Sequence, residues 1–270
     1  MNKFSSNIPR VITIAGSDSG GGAGIQADLK TFGANGVYGT SAITAITAQN
    51  TVGVQAILGV PLDVIEAQID SVFTDIGTDA VKIGMLGNVD TINLVADKIV
   101  EYSLDNVVLD PVMIAKGGDR LIEPDAIQAM ITRLLGLATI VTPNLPEAAV
   151  LLNRSVDSLD DARQAAIDIM SMGPKNVVVK GGHLIGAAVD VLYDGNSLIE
   201  FESLRLDTQN THGTGCTFSS AIAANLAKGM SISSAVKQAK DYVFEAIMGS
   251  HSIGHGHGPL NHMYKLDSRI

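Results

Sequence analysis

The sequence predicts an α/β fold: a mostly parallel sheet covered by helices on both faces, with an antiparallel edge. Three observations carry this. Short runs rich in Val and Ile alternate with longer stretches of helical period, which is how buried parallel strands and their crossover helices read. One segment, residues 188–201, breaks that alternation with a hairpin pattern. Glycines and paired polar residues gather where the apolar runs end.

Each element has its own reason. Residues 11–15, 80–83, 107–109, 139–141 and 177–179 are short, apolar and β-branched, as strands buried on both faces are. Over 62–76 the apolar residues Leu62, Ile65, Ile69, Val72, Phe73 and Ile76 mark one helical face; Ile92, Val95, Ala96, Ile99 and Val100 do the same over 88–103. Ser158 and Asp161 form a capping-box pattern ahead of a helix to residue 170. An apolar helix is expected over 218–228. From 231 to 248, Ile232, Ala235, Val236, Ala239, Tyr242, Val243, Ala246 and Ile247 follow a period of 3.6. In 188–201, Val189, Val191 and Tyr193 alternate, Asp194-Gly195-Asn196 turns the chain, and a second apolar run follows. No linker, repeat or low-complexity segment interrupts the 270 residues, so a single domain over 1–270 is expected.

Composition narrows the function. Apolar residues make up 46% and charged residues 17%, enough for a large core and too little charge for disorder. The net charge is −10, no Lys/Arg cluster occurs, Trp is absent and aromatics are 4%; these features argue against nucleic-acid binding. Cys216 is the only cysteine, so no intrachain disulfide forms. Residues 1–10 lack an apolar signal-peptide run, and no stretch of 18 apolar residues occurs. A cytoplasmic protein without a membrane partner is expected.

In parallel sheets, ligands bind beyond the carboxyl ends of the strands. Gly16-Ser17-Asp18, Gly84-Met85, Asp110-Pro111, Thr142-Pro143-Asn144 and Lys180-Gly181-Gly182-His183 follow the five predicted strands, which implies one shared cleft. Three segments are candidates for its chemistry. Gly213, Thr214, Gly215 and Cys216 open the helix 218–228: glycines there free backbone N–H groups to face an anion, and the helix field favours negative charge. The same field is expected to lower the Cys216 thiol pKa and make it a candidate base. A glycine turn into a helix with a small buried cysteine reads these residues equally well. Residues 17–24 carry four glycines without GxGxxG, and GxxxxGK[ST] is absent throughout, so the loop is read as mobile or close to a ligand rather than as a dinucleotide or P-loop fingerprint. Asn144 and Glu147, three apart at a helix start, can hold a hydrated Mg²⁺ or simply cap the helix. His251, His255, His257 and His262 lie among glycines too loose to fix a metal; a tail folded over the cleft is the expectation.

Taken together these segments resemble the hydroxymethylpyrimidine/phosphomethylpyrimidine kinases of the ribokinase-like superfamily. The resemblance rests on residues 14–28, Ala48-Gln49-Asn50-Thr51, Lys82-Ile83-Gly84-Met85-Leu86, Asp110-Pro111-Val112-Met113, residues 142–148, Lys180-Gly181-Gly182-His183, His212-Gly213-Thr214-Gly215-Cys216 and the tail 254–259. It implies a three-layer α/β/α kinase domain and a homodimer. It implies ATP as phosphoryl donor, Mg²⁺ as counterion, and the hydroxymethyl group of 4-amino-5-hydroxymethyl-2-methylpyrimidine and then its monophosphate as acceptors. Gly213, Thr214 and Gly215 are then the anion hole and Cys216 the residue in the catalytic position. Gln49, Gly16, Asp28, Met85 and Val112 line the pyrimidine pocket. Lys180, Asn144 and Asp110 serve the nucleotide, Glu147 and Asp110 the Mg²⁺, and residues 112–119 form a closing flap.

Four rivals differ at particular residues. A pyridoxal kinase of the same family that traps an aldehyde between two cysteines needs a second cysteine, and the chain has one. A thiazole-alcohol kinase fits residues 17–24 and 48–51 less well. A non-catalytic ligand-binding protein has no need of residues 213–216 and 144–147, and a dinucleotide oxidoreductase lacks its GxGxxG.

Overall fold

A computed structural model describes residues 8–113, 122–182 and 187–267. The chain enters at β1 (Arg10–Asp18) and crosses α1 (Gly24–Ala34) to β2 (Tyr38–Gln49) and β3 (Val54–Gly59). It returns through α2 (Leu62–Ser71), which ends in a π-helical turn at Val72–Ile76, to β4 (Ala80–Ile83). Then follow α3 (Val89–Glu101), β5 (Val107–Leu109), α4 (Pro124–Ala129), β6 (Ile140–Val141), α5 (Leu145–Leu152), α6 (Leu159–Met170) and β7 (Val177–Val179). The hairpin β8 (Ala188–Tyr193) and β9 (Leu198–Ser203) leads to α7 (Thr214–Ala227), α8 (Ile232–Met248) and the short α9 (Tyr264–Asp267).

The nine strands form one sheet in the order β3-β2-β1-β4-β5-β6-β7-β8-β9. The run from β2 to β7 is parallel, while β3, β8 and β9 are antiparallel to their neighbours. The antiparallel hairpin edge is therefore as expected, and a second antiparallel edge lies at β3. Strand period two divides the core. Ile12, Ile14, Val81, Ile83, Leu109 and Val141 point to the layer of α2 to α6, and Val11, Ala80, Val108, Ile140 and Val178 point to α1, α7 and α8. This is the three-layer α/β/α arrangement.

The β2–β3 ribbon left no clear signal in the sequence, for a physical reason. β2 is built from Thr, Ala and Ser, whose small side chains hide the alternation. β3 is exposed along most of its length, so it needs no apolar run. The capping box at Ser158 forms as its spacing predicts: the Asp161 N–H donates to Ser158 Oγ at 3.0 Å and the Ser158 N–H to Asp161 Oδ2 at 3.0 Å.

The strand order locates the site. From β1 the chain moves outward to β2 and β3, then returns to the other side of β1 at β4. Helical crossovers diverge there, leaving a crevice above the carboxyl ends of β1 and β4, the switch point at which parallel sheets take ligands.

Candidate active site

Above the strand ends lies one cavity of about 620 Å³, and twelve of the thirteen predicted site residues line it: Gly16, Gln49, Met85, Asp110, Val112, Asn144, Glu147, Lys180, Gly213, Thr214, Gly215 and Cys216.

The anion end is made of backbone. Gly213 sits at the start of α7 in the left-handed region, φ 82° and ψ 8°, which glycine adopts without penalty. A Cβ there would lie 1.8 Å from the Gly22 carbonyl oxygen. The loop 17–24 thus rests directly on the helix start, and glycine is required by both conformation and space. No side chain caps α7; the Thr214 N–H donates to the Thr211 carbonyl at 3.3 Å, and the next first-turn donors, those of Gly215 and Cys216, are left for an anion. Thr214 Oγ1 is used locally, donating to the Thr211 carbonyl at 2.7 Å. Asp18 organises the loop: its carboxylate accepts from the N–H groups of Gly20 (2.8 Å), Gly22 (3.1 Å) and Ala23 (2.8 Å) and lies 2.9 Å from His212 Nε2. Burial pushes the Asp18 carboxyl up, but His212 and the backbone donors outweigh this and hold it below the usual carboxylate range.

Beside the anion end lies a network of paired charges. Lys180 Nζ donates to Asp110 Oδ1 at 2.8 Å, Thr142 Oγ1 donates to the same oxygen at 3.1 Å, and Glu147 Oε2 is 3.8 Å from Lys180 Nζ. A Cβ on Gly215 would lie 3.2 Å from Lys180 Nζ and 3.7 Å from Asp110 Oδ2, so these charges reach the helix start. Burial raises the Asp110 carboxyl, but Lys180 and Lys82 overcome it and the group is held low. Glu147 and Asn144 form a reciprocal capping box at α5 (2.7 and 2.9 Å), yet burial, with Asp110 nearby, pushes the Glu147 carboxyl up to about 7 against the pull of Lys180. A carboxyl poised near neutrality gains from added positive charge. Among the described residues no cluster of three or more His, Cys, Asp or Glu side chains could hold a metal. The oxygens of Asp110 and Glu147 are hard donors, and two carboxylates match a cation that takes its other ligands from phosphate and water.

Two expectations are corrected. Asp28 does not line the cavity. It is fully buried beneath it, accepting from Thr13 Oγ1 (2.6 Å), Lys82 Nζ (2.9 Å) and Ser220 Oγ (2.6 Å). The reason is its place on α1: Asp28 faces the sheet, where β4 supplies the partner Lys82. Nor does the helix start lower the Cys216 thiol. Burial pushes it up to about 11, with Lys82 only partly opposing, so desolvation beats the helix field and the thiol is protonated near neutral pH.

Of the remaining predicted residues, Gly16 and Gln49 lie at the ends of β1 and β2 and Met85 in the loop after β4. Gly16 lies where β1 shifts register, and a Cβ there would be 2.5 Å from Met85 Cε. Thr47 Oγ1 donates to the Ser17 carbonyl at 2.8 Å and lies 3.2 Å from Gln49 Oε1, which ties β2 to this loop. The tail lies alongside: Thr51 accepts from the backbone N–H groups of His255, Gly256 and His257, and the His212 N–H donates to Gly258. His262 is buried against Thr217, 2.9 Å from its Oγ1. Of the predicted flap, residues 114–119 lie outside the described residues, as does His183.

Sequence reasoning missed several cavity residues. Lys82 stood in a quoted motif without a role, although a Lys inside an apolar strand is itself a signal. Leu204, Leu206, Val243, Phe244 and Ile247 form an apolar wall. Val243 and Ile247 belong to the core face of α8 as their helical period predicts and also line the cavity, a second role that period alone cannot show. Lys240 Nζ and Asp190 Oδ2 pair at 2.8 Å at the same end, and nothing local links these residues, which lie 50 positions apart.

A model of the phosphomethylpyrimidine kinase family matches residues 18–261. The chain is 50% identical over 262 residues to the hydroxymethylpyrimidine/phosphomethylpyrimidine kinase of Haemophilus influenzae, covering 95% of this chain and 97% of that one. It is 50% identical over 254 residues to a thiamine biosynthesis bifunctional protein of Geobacter sulfurreducens, covering 94% of this chain and 52% of that one. Among solved structures it is similar to an ADP complex of Bacillus subtilis pyridoxal kinase: TM-score 0.90, 44% identity, 96% of this chain and 99% of that chain.

Two outcomes follow from the geometry. Gly213→Ala forces a Cβ into the Gly22 carbonyl and is expected to lower kcat by roughly 100-fold or more, the scale of losing anion-hole donors; steady-state kinetics checks this, with a melting curve to confirm folding. The Cys216 thiol is expected to alkylate slowly with iodoacetamide at pH 7 and faster as pH rises toward 11. A rate already at its plateau at pH 8 contradicts the raised thiol.

Proposed function

The chain belongs to the phosphomethylpyrimidine kinase family, and from that premise we propose that it carries the γ-phosphoryl group of ATP to two acceptors of thiamine biosynthesis. The first is the hydroxymethyl group of 4-amino-5-hydroxymethyl-2-methylpyrimidine, and the second is the monophosphate so formed. The observation that carries the reading is one cavity that brings Gly16, Gln49 and Met85 together with the charged Asp110, Glu147 and Lys180 and with the helix start at Gly213.

The residues divide the work. Gly213, Thr214 and Gly215 form the backbone turn whose open N–H groups hold the transferring phosphoryl oxygens, and Lys180 neutralises charge on the phosphates. The apolar side chains Val243, Phe244 and Ile247 receive the nucleotide base. Asp110 and Glu147 would hold Mg²⁺, which supplies charge neutralisation when bound, and Asn144 orients Glu147. Gln49 reads the polar edge of the pyrimidine between Gly16, Met85 and Val112, while Asp28 acts from below through Lys82. In a loose phosphoryl-transfer transition state, positioning and charge supply most of the rate. A Cys216 protonated near neutral pH therefore helps by shape and contact more than by proton abstraction.

Pyridoxal phosphorylation is the second reading, favoured by the likeness to the Bacillus subtilis enzyme. It is placed as a side activity because Cys216 is the only cysteine and no two-cysteine aldehyde trap can form. The 270 residues are taken to act as one kinase domain, in the cytoplasm and as a homodimer. The continuous sheet supports the first point. For the second, no helix among the described residues is long and apolar enough to cross a membrane. For the third, Ile46, Val52, Ile57 and Leu58 expose apolar surface along the β2–β3 edge, which a second copy would cover.

Two experiments test the reading. With Mg-ATP, ADP release is expected with the pyrimidine and with its monophosphate, and more slowly with pyridoxal; no turnover with either pyrimidine overturns it. Glu147→Gln is expected to raise the Mg²⁺ concentration for half-maximal rate by roughly tenfold, as when a supporting carboxylate of a metal site is lost, and an unchanged Mg²⁺ dependence removes Glu147 from the cation site.

A further inference from the structure

Lys82 is the fully buried lysine on the wall of the cavity. Its ammonium has three donors. Asp28 Oδ2 takes one at 2.9 Å, and among the described residues the Lys82 ammonium makes no other hydrogen bond or ion pair. A Cβ on Gly84, the next residue on the same face of the strand, would lie 2.8 Å from Lys82 Nζ, so glycine there leaves room beside the ammonium. Asp28 is itself shared, also accepting from Thr13 and from Ser220. Ser220 lies one helical turn after Cys216 on α7, so the pair is fixed beneath the first turn of that helix. An ion pair taken out of water costs several kcal/mol per ion and is often matched or bettered by apolar residues. Packing alone is a poor reason for it.

The geometry points to Lys82 as a catalytic cation of the acceptor site, whose spare donors take the oxygen that attacks the γ-phosphoryl group in both transfers. The inference rests on the kinase reading and adds a residue to it. In each transfer a bond forms between the acceptor oxygen and the γ-phosphorus, the bond from that phosphorus to the β,γ-bridging oxygen breaks, and ADP leaves with the electron pair. In the first transfer the acceptor is a neutral hydroxyl, whose proton passes to an oxygen of the transferred phosphoryl group as the ester forms. In the second it is a phosphate monoester oxygen that has already lost its proton. A base helps only the first step, whereas a fixed cation serves both. Cys216, its thiol pushed up to about 11, is a poor base at neutral pH, and Lys82 is held charged because its carboxylate neighbours outweigh its burial.

The test is the double variant Lys82→Met/Asp28→Asn, which removes both charges together; the amide oxygen accepts from one of the Thr13 and Ser220 hydroxyls, and the amide N–H donates to the other. The expected result is a folded protein with unchanged ADP affinity and with kcat lowered roughly 100-fold or more on both the pyrimidine and its monophosphate. A folded double variant that keeps near-wild-type kcat overturns the proposal, as does one that loses only the first transfer. Should that variant not fold, Lys82→Ala is assayed with added methylammonium. Saturable rescue by the amine but not by methanol is expected, and equal response to both overturns the cation role. Wild-type protein runs alongside. If it transfers to neither acceptor, the kinase reading itself fails; if it is active and the variant matches it, only the role of Lys82 fails.

Discussion

The contact between Gly213 and the Gly22 carbonyl is the constraint on which the site depends. Two loops nearly two hundred residues apart meet there through backbone alone, with no space for a Cβ. Everything nearby serves that contact. Asp18 gathers the N–H groups of Gly20, Gly22 and Ala23, then reaches His212 immediately before Gly213. Gly258, in the tail, accepts from the His212 N–H. Because α7 has no side-chain cap, this arrangement leaves the Gly215 and Cys216 N–H groups facing the cavity without a side-chain partner.

Charge is the second theme. Lys82 with Asp28 and Lys180 with Asp110 are buried under or beside the same helix start, and each cation is kept ionised by a carboxylate. In a low-dielectric site such charges act strongly and need no reorganisation during reaction. Burial explains why Cys216 and Glu147 are pushed up, whereas Asp110 is held low because Lys180 and Lys82 outweigh its burial. Proximity to a helix start was a poor guide to the thiol, since desolvation of the whole cavity floor outweighs the field of one helix end. The arrangement also explains how one site can accept both a hydroxyl and a phosphate, because it offers fixed positive charge and backbone donors rather than a single proton acceptor.

Much of the architecture was legible in the sequence because its signals are local. The runs at 80–83, 107–109 and 177–179 coincide with strands residue for residue, since a strand buried on both faces has no choice but β-branched apolar residues. The caps at Asn144 and Ser158 read correctly because a capping box spans four residues. The β2–β3 ribbon did not, since Thr, Ala and Ser give little contrast and β3 is exposed along most of its length.

For the site, the sequence by itself determined that polar and glycine-rich segments fall at the strand ends, and therefore that one cleft exists with the glycine-rich helix start at Gly213 in its wall. That follows from the handedness and order of parallel crossovers, which place successive strand ends on one side. Only the tertiary structure decided which side chains reach the cleft. Asp28, expected in the pocket, lies under it, and Lys82 lies in its wall, because α1 and β4 meet face to face across the sheet. Likewise it decided that Cys216 keeps its proton. Burial is a property of everything packed around an atom, and no spacing along the chain encodes it.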